Sequence, residues 1–244
     1  MTDSTPLSTT PGRVLVVQAH PDDAEFTCGG TIAKWIRDGA EVHYCSITSG
    51  DRGSADPEMT PERLVEIRKV EQQKAADILG VKGVYYLERE DGLVVADIDL
   101  RRDIARVIRK VKPDTIVGFD PTVRIHGSYY INHPDHVAAG DALLFGMFPA
   151  AGNRMYFPEL IEEGYEPHHV SRVYLFGTDQ PNAWIDITDT IDIKLEALLA
   201  HASQFRKGDP TEMTREWAKR DALANPNRES AGTYAESFRL ITFG

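Results

Sequence analysis

Cysteine and long hydrophobic runs are both scarce in this sequence. Its 244 residues include two cysteines, Cys28 and Cys45, at a spacing that fits neither a metal site nor a redox pair. Two such thiols are expected to be buried and reduced, as in cytoplasmic proteins. No apolar run approaches the length that crosses a bilayer, which argues against a membrane span. The first residues are polar and include Asp3, unlike a secretory signal, so we expect a cytoplasmic protein.

Positive charge is also in deficit. The sequence has 27 Lys and Arg against 38 Asp and Glu, a formal net charge of −11 at pH 7. A nucleic-acid-binding protein needs a basic surface to displace counterions from phosphates, so this balance argues against a nucleic-acid partner. The pair Gly29-Gly30 does not complete the G-x-G-x-x-G fingerprint of a dinucleotide site. Hydrophobic residues make up 41% of the chain, enough for an ordinary globular core.

Alternating strand and helix patterns predict the fold class. Residues 13–19 form a continuous, valine-rich run, which suits a strand buried on both faces of a parallel sheet. The alternation that follows predicts an α/β, Rossmann-like three-layer fold, with a mostly parallel sheet and helices on both faces. The predicted segments are helices 26–39, 60–79, 100–111, 134–147, 189–203 and 211–223, and strands 41–48, 83–87, 114–119, 172–176 and 183–187.

The chain is predicted to form one domain preceded by a tail. Residues 1–12 mix Ser, Thr and Pro without periodicity and predict a flexible N-terminal tail. Residues 13–244 are predicted to form a single domain, since α/β chains of this length often do. Within that domain, residues 206–235 are highly charged and interrupted by Gly, Pro and Asn. We interpret them as a surface lid or an oligomer contact, so a homo-oligomer is left open.

A first cluster of reactive side chains follows the first predicted strand, in His20-Pro21-Asp22-Asp23. Ligands of open parallel sheets bind beyond the carboxyl ends of the strands. Imidazole nitrogen and carboxylate oxygen are ligands that zinc accepts. Adjacent side chains leave the backbone in different directions, so one Asp could bind a metal while the other transfers protons. The alternative is an acidic turn that caps the next helix.

A second cluster, His133-Pro134-Asp135-His136, follows the fourth predicted strand. Pro134 suits the first position of a helix, and residues three apart share one side of a helical turn. His133 and His136 can therefore face the same site. The alternative is a helix start that carries two surface histidines. Because both clusters follow strands of the same predicted sheet, they favour a shared site.

Together these motifs resemble the PIG-L/LmbE-like N-acetylglucosaminyl deacetylase family. The resemblance covers roughly residues 14–204. It implies a zinc-dependent hydrolase that removes an acetyl group from an N-acetylated amino sugar or its glycoside, giving acetate and a free amine. The motifs that carry it are A-H-P-D-D, G-G-T-I-A and H-P-D-H, with Thr48–Gly53, Arg68-x-x-Glu71, Asp91-Gly92 and His201-x-Ser203-Gln204.

The resemblance also implies roles for the residues of the first motif. His20 and Asp23, together with His136 of the second motif, correspond to the zinc ligands. Asp22 corresponds to the general base of the family.

The other implied roles concern the second motif and the sugar. His133 corresponds to the imidazole that stabilises the oxyanion or protonates the leaving amine, with Asp135 orienting it. Arg68 and Asp91 correspond to positions near the sugar. The family tyrosine two residues before the second motif is replaced by Ile131.

Tyr129 and Tyr130 lie close enough in the sequence to substitute for that hydroxyl. Two functions of other classes stay open: a metal-dependent amidase of a larger thiol conjugate, and a non-catalytic sugar-binding protein on the same fold. The amidase would release a larger acid in place of acetate. The binding protein would be expected to have lost Asp22 or a ligand, and this chain has lost neither.

Overall fold

A seven-stranded sheet lies at the centre of the structure, a computed structural model that describes residues 10–128, 130–205, 208–227 and 232–243. Its first five strands in chain order run parallel, and one late strand runs antiparallel to both of its neighbours. A short two-stranded hairpin lies apart from the sheet. The strands are β1 Arg13–Gln18, β2 Glu41–Thr48, β3 Gly83–Arg89, β4 Thr115–Phe119, β5 Ile125–His126, β6 Tyr130–Ile131, β7 Arg172–Phe176, β8 Ala183–Asp186 and β9 Ala235–Thr242.

The helices pack on both faces of this sheet. On one face α1, α2 and α6 contact one another, and on the other α3 packs against α4 and the segment that follows it. The predicted three-layer α/β fold is therefore confirmed. The helices are α1 Asp23–Arg37, α2 Pro61–Leu79, α3 Ile98–Val111, α4 Pro134–Phe145, α5 Glu159–Glu162, α6 Ile191–Leu199 and α7 Thr211–Ala224.

The strand order creates a crevice beside β1. Along the sheet the order is β3-β2-β1-β4-β7-β9-β8, so the chain first builds outward on one side of β1 and then returns to its other side. The connections that leave the carboxyl ends of β1 and β4 therefore run away from each other and leave a crevice between them. Open α/β sheets bind their ligands in such a crevice. Both predicted motifs leave the sheet at this point, one after β1 and the other after β4.

Local signals explain why the helices begin and end where they do. The Thr60 side chain accepts a hydrogen bond from the Arg63 N–H at the start of α2, and Gly80 ends that helix in the left-handed conformation.

Val14–Val17 on β1 are almost fully buried, as predicted for a strand covered on both faces. Cys28 and Cys45 are buried free thiols, which confirms the prediction for the cysteines.

Strand β9 is the main element that the sequence analysis missed. It inserts between β7 and β8, with Ile241 opposite Val173 and Ser237 opposite Trp184. In its sequence, A-E-S-F-R-L-I-T, polarity does not follow burial. The glutamate is buried, whereas the leucine and the isoleucine are only partly buried. Neither a helix period nor a strand period therefore marks it.

Element ends also differ from the predictions. Helix α1 begins at Asp23, three residues early, and α6 ends at Leu199, after which a 3₁₀ turn covers Ala202–Gln204. Helix α4 ends at Phe145 and is followed by a kinked segment, Gly146–Ala151, in which Phe148 has a non-helical backbone directly before Pro149. The connection between β4 and α4 contains the hairpin of β5 and β6.

The predicted tail and the predicted lid lie partly outside the described residues. Residues 1–9 are not described, but the Gly12 N–H donates to Asp114 Oδ2 at 2.7 Å, so the end of the predicted tail is anchored. Within 206–235, helix α7 buries Thr214, Ala218 and Ala222, while residues 206–207 and 228–231 are not described. A lid or contact role for this segment stays a prediction. Across the described ranges, no helix combines the length and apolar character needed to cross a membrane.

Candidate active site

The first motif forms a tight, well-held turn between β1 and α1. Asp22 caps α1 in the left-handed region, with φ of 100°, a conformation that costs a non-glycine residue on the order of 1–3 kcal/mol. The surroundings hold it there: the Asp22 N–H donates to Gln72 Oε1 at 3.3 Å, and the His20 N–H donates to Asp23 Oδ2 at 2.7 Å. The turn separates the two adjacent carboxylates, because Asp23 faces the histidines and Asp22 faces Arg68.

The second motif begins helix α4. His133 caps the helix, and its Nδ1 accepts the Asp135 N–H at 3.3 Å, while Pro134 occupies the first turn. His133 therefore keeps its proton on Nε2 when the ring is neutral. The rings of His20 and His133 lie edge to face, with centroids 4.7 Å apart, so the two motifs meet in space.

Asn132 decides which nitrogen of His136 is free. The Asn132 amide nitrogen donates to the Val123 carbonyl at 2.8 Å, which identifies its other terminal atom as oxygen. That oxygen lies 3.0 Å from His136 Nδ1, so Nδ1 carries the proton. The unprotonated Nε2 then points at Asp23 Oδ1, 3.3 Å away.

Two carboxylates determine which nitrogen of His20 carries the proton. Its Nε2 lies 3.1 Å from Asp91 Oδ1 and 3.2 Å from Asp135 Oδ2, both of which accept a proton. Its Nδ1 lies 3.6 Å from Asp23 Oδ2. Imidazoles that bind metals typically donate their other N–H to a carboxylate or an amide oxygen. His20 Nδ1, an Asp23 oxygen and His136 Nε2 therefore form a donor set that fits a divalent ion.

Simple proximity groups the donors differently. Atoms of His20, His133 and His136 lie within 4.8 Å of one another, and so do atoms of His20, Asp91 and Asp135. The hydrogen bonds favour the set with Asp23, because Asp91 and Asp135 both lie against the protonated nitrogen of His20. They act on the imidazole and need not contact the ion.

The electrostatics of the cluster also suit a cation. Burial opposes protonation of His20, but Asp135, Asp23 and Asp91 together raise its pKa. Burial would raise the pKa of Asp23, yet His136 and His20 in their protonated forms lower it well below its usual range. Negative charge is thus concentrated beside the two imidazoles, where a metal ion would be stabilised.

Asp22 and His133 have pKa values that suit proton transfer and hydrogen-bond donation. Burial raises the pKa of Asp22 to about 6, with Arg68 opposing and Asp23 supporting the rise. Burial and the nearby His20 lower the pKa of His133 below its usual value, so its imidazole is neutral near pH 7. A carboxylate that can accept a proton near neutral pH and a neutral N–H donor therefore flank the cluster.

Asp135 meets His133 through its backbone and His20 through its side chain. Its N–H donates to His133 Nδ1, while its carboxylate accepts the N–H groups of Gly92 and Val94, at 2.6 and 3.1 Å, and contacts His20, so the orienting role implied by the resemblance stays a prediction. The carboxylate reaches those N–H groups because its position in the first turn of α4 faces the loop after β3. Asp91 is likewise buried against His20, so sugar contact by Asp91 stays a prediction.

Arg68 is a clamp between two loops. It is only 3% exposed, and its guanidinium donates to the carbonyls of Gly50 and Pro21 and to Asp22 Oδ2. A Cβ at Gly50 would lie 2.1 Å from Arg68 Nη1, so the glycine is needed for this approach. Sugar contact by Arg68 also stays a prediction.

The position of the family tyrosine is not filled by the described residues near it. Ile131 is exposed, and Tyr130 lies on β6 with its ring 5.8 Å from that of His126. Tyr129 lies outside the described residues.

The comparison with known families agrees with these motifs. The PIG-L family of GlcNAc-PI de-N-acetylases matches residues 15–145, just over half of the chain. The matched range contains both motifs, all of β4 and most of β1. This chain belongs to the PIG-L family.

Its relatives include deacetylases that match most of this PIG-L chain. A diacetylchitobiose deacetylase of Thermococcus kodakarensis is 34% identical over 233 residues, covering 94% of this chain and 83% of that protein. A probable N-acetyl-α-D-glucosaminyl L-malate deacetylase of Bacillus anthracis is 30% identical over 210 residues, covering 84% and 86%. The N,N′-diacetylchitobiose deacetylase structure from Pyrococcus horikoshii has a TM-score of 0.86 at 29% identity, covering 95% and 84%.

Sequence reasoning missed the polar residues beneath the PIG-L site. Gln72 Oε1 accepts from Gln18 and from the Asp22 N–H, and the Gln72 amide donates to Glu25, which in turn contacts buried His201. The signal available for Gln18 was a polar residue inside an otherwise apolar strand. The signal for Asn132 was its position directly before the second motif.

Proposed function

We propose that this PIG-L protein is a zinc-dependent hydrolase that removes the acetyl group from an N-acetylated amino sugar or its glycoside. The observation that carries the proposal is the convergence of His20 Nδ1, Asp23 and His136 Nε2 beside the Asp22 carboxylate. The family and the substrates named for its relatives support an amino sugar as the substrate.

The donor set supports zinc as the metal. Two imidazole nitrogens and one carboxylate match the three-ligand sites in which zinc keeps a further position open. A bound zinc ion would supply Lewis acidity toward the amide carbonyl and would lower the pKa of water toward 7. The residues that would hold it are His20, Asp23 and His136.

Asp22 is proposed as the general base. Its pKa of about 6 leaves it ionised at neutral pH, so it accepts a proton from the water that attacks the carbonyl carbon. The contact with Arg68 holds the Asp22 carboxylate, and the hydrogen bond from the Asp22 N–H to Gln72 holds the backbone of the turn. As the C–N bond breaks, the proton on Asp22 passes to the nitrogen, and the products are acetate and a free amine.

His133 is proposed to stabilise the negative charge on the carbonyl oxygen. Its Nδ1 is occupied by the Asp135 N–H, so Nε2 carries the proton and can donate to that oxygen. Loss of one such donor typically costs about 10²–10³ in turnover.

The test is an assay of products and metal dependence. The zinc-loaded protein is incubated with N-acetylglucosamine, N,N′-diacetylchitobiose and the inositol and malate glycosides, and acetate and amine are quantified. We expect equimolar release, its loss on chelation and its recovery with zinc. No release from any of these substrates, with cleavage of a larger thiol-conjugate amide, would contradict the proposal and favour the amidase.

The variant Asp22→Asn tests the base directly. We expect it to keep the fold and the bound zinc and to lose about 10²–10⁴ in turnover. Asp38→Asn, at the exposed end of α1, is the matched control. Near-normal turnover of a zinc-loaded Asp22→Asn protein would remove Asp22 from the mechanism.

We also propose a cytoplasmic location and self-association. Two buried free thiols support a reducing compartment. Exposed apolar side chains at Phe148 and Met155 support a contact between copies of the chain.

A further inference from the structure

Polar side chains that are completely buried lie beneath the Asp22 turn. A buried polar group destabilises a fold unless its hydrogen-bonding capacity is used, and apolar side chains could fill the same space. The hydrogen bonds that these side chains form therefore indicate their role. Those with 0% exposure are Gln18 on β1, Glu25 on α1, Gln72 on α2 and His201 after α6.

The N–H of Asp22, the cap of α1, has an unusual partner. In a capping box, the side chain three positions after the cap accepts the N–H of the cap itself. That residue is Glu25 in α1, but its carboxylate contacts Gln72 Nε2 and His201 Nε2, each at 3.2 Å. Gln72 of the neighbouring helix takes its place, because Gln72 Oε1 accepts the Asp22 N–H at 3.3 Å. The left-handed turn at Asp22 is thus held by a side chain of α2.

The orientation of the Gln72 amide is fixed from two sides. The Ala24 N–H can only donate, and it donates to Gln18 Oε1 at 3.2 Å, so the NH₂ group of Gln18 faces Gln72 Oε1 at 2.7 Å. On the other side, the Glu25 carboxylate accepts from the Gln72 NH₂ group at 3.2 Å. Both neighbours therefore turn the Gln72 oxygen toward the Asp22 N–H, since a reversed amide would place donors against donors.

We propose that Gln72 is a positioning residue for the reaction at this site: its amide oxygen holds the Asp22 turn in the left-handed conformation, and Glu25 keeps that oxygen in place. The inference rests on the proposed function, in which Asp22 is the base. Arg68 holds the carboxylate of Asp22, whereas Gln72 holds its backbone. A displacement of about 1 Å at a reacting group can lower the rate about 100-fold, so support of the backbone matters for turnover.

The first experiment removes the hydrogen bonds of Gln72 and keeps its volume. Gln72→Met should lower kcat for N,N′-diacetylchitobiose by about 10- to 100-fold and leave KM and zinc affinity within about 2-fold, because only the base is misplaced. Gln73→Met is the matched control, since Gln73 is exposed on the same helix and should keep the wild-type kcat. A wild-type kcat in folded Gln72→Met protein would overturn the proposal, and so would a parallel loss of zinc affinity.

An exchange of donor and acceptor tests the orientation of the amide, and it also decides the matter if Gln72→Met does not fold. Gln72→Glu keeps an oxygen for the Asp22 N–H but places a second carboxylate against Glu25, so kcat should fall by about 10-fold or more. Adding Glu25→Gln supplies the missing NH₂ group, keeps an oxygen for His201 and restores the wild-type net charge. We expect kcat to return to within about 3-fold of wild type. A folded double variant without this recovery would contradict the role of the amide.

Amide exchange separates failure of this inference from failure of the proposed function. Exchange of the Asp22 N–H is followed by NMR in the wild-type and Gln72→Met proteins without substrate, with the Val117 N–H on β4 as the reference. Exchange at Asp22 that is faster by about 10-fold or more shows that Gln72 holds the turn, even if the wild-type protein releases no acetate, a result that would defeat the proposed function alone. Unchanged exchange at Asp22 would overturn the role of Gln72.

Discussion

Asn132 orients His136 of the proposed metal site through a single hydrogen bond. It holds the proton on His136 Nδ1 and so directs the Nε2 lone pair toward Asp23. Partners of this kind, which do not contact the metal themselves, orient the ligands that do. The orientation of the His136 donor nitrogen therefore depends on Asn132, which lies directly before the second motif.

We predict that Asn132→Ala weakens zinc binding by about 10- to 100-fold without unfolding the protein. The His136 ring would lose the acceptor that selects its tautomer, so part of the population would present a protonated nitrogen to the metal. Competition with a chromophoric chelator measures the affinity. His126→Ala, in the hairpin, is the control, and wild-type affinity in Asn132→Ala would show that the tautomer is set elsewhere.

Arg68 can be interpreted either as a clamp that positions Asp22 or as a sugar contact, and kinetic measurements distinguish the two. As a clamp, its guanidinium joins the Pro21 and Gly50 carbonyls to the Asp22 carboxylate, which a lysine cannot reproduce because it lacks the planar fork. We predict that Arg68→Lys lowers kcat by about 10-fold or more with little change in KM, since it misplaces the base. A rise in KM at unchanged kcat would instead support the sugar contact implied by the resemblance.

At the scale of elements, strand β9 connects helices α1 and α6, which lie on the same face, to the sheet. Glu236 on β9 accepts the N–H groups of Gly30 and Thr31 from α1, at 3.0 and 2.7 Å. Its carboxylate also accepts from Lys194 Nζ of α6 at 2.5 Å, and both side chains are almost fully buried. The position of α1, and with it the Asp22 turn at its start, depends on this strand.

We predict that Glu236→Ala lowers the free energy of unfolding by about 3–5 kcal/mol, because it leaves the Lys194 ammonium buried without a partner. Urea unfolding followed by circular dichroism measures the loss. Thr242→Ala, at the exposed end of the same strand, should change stability by less than about 0.5 kcal/mol. The double variant Lys194→Met, Glu236→Leu should recover much of the loss. A small effect of Glu236→Ala would mean that water satisfies Lys194.

At the scale of the whole molecule, the candidate site and the apolar surface lie at opposite edges of the sheet. The site occupies the carboxyl ends of β1 and β4, whereas a cavity of about 680 Å³ lies near the start of β7 and the end of β9. The wall of this cavity includes Phe148, which is 71% exposed, and Met155 nearby is 82% exposed. Exposed apolar side chains of this size favour association between copies.

We predict that the protein elutes as a species larger than its chain mass of 27.2 kDa, and that Phe148→Glu with Met155→Glu shifts it to the monomer. Light scattering after size-exclusion chromatography gives the mass. Ile125→Glu, which places the same charge on an exposed residue of the hairpin, is the control. A monomeric wild-type protein, or a double variant that keeps the wild-type mass, would contradict self-association through this surface.

The sequence by itself determined the features that depend on neighbouring residues. A valine-rich run predicts β1, Thr60 and Gly80 delimit α2, and the spacing within each motif places both beyond strand ends. These signals are local, because burial on both faces, helix capping and turn geometry involve residues a few positions apart. They were sufficient for the fold class and for the choice of the two motifs.

Only the tertiary structure decided which groups those motif residues contact. His20 meets Asp135 from 115 residues away, and Arg68 reaches Asp22 from 46 residues away, with no pattern in the chain that couples either pair. Strand β9 likewise depends on distant partners. The Glu236 carboxylate can be buried because Lys194 and the N–H groups of α1 donate hydrogen bonds to it. Such contacts depend on how separate elements pack, since a buried polar group is placed by the partners that satisfy it and those partners are distant in sequence.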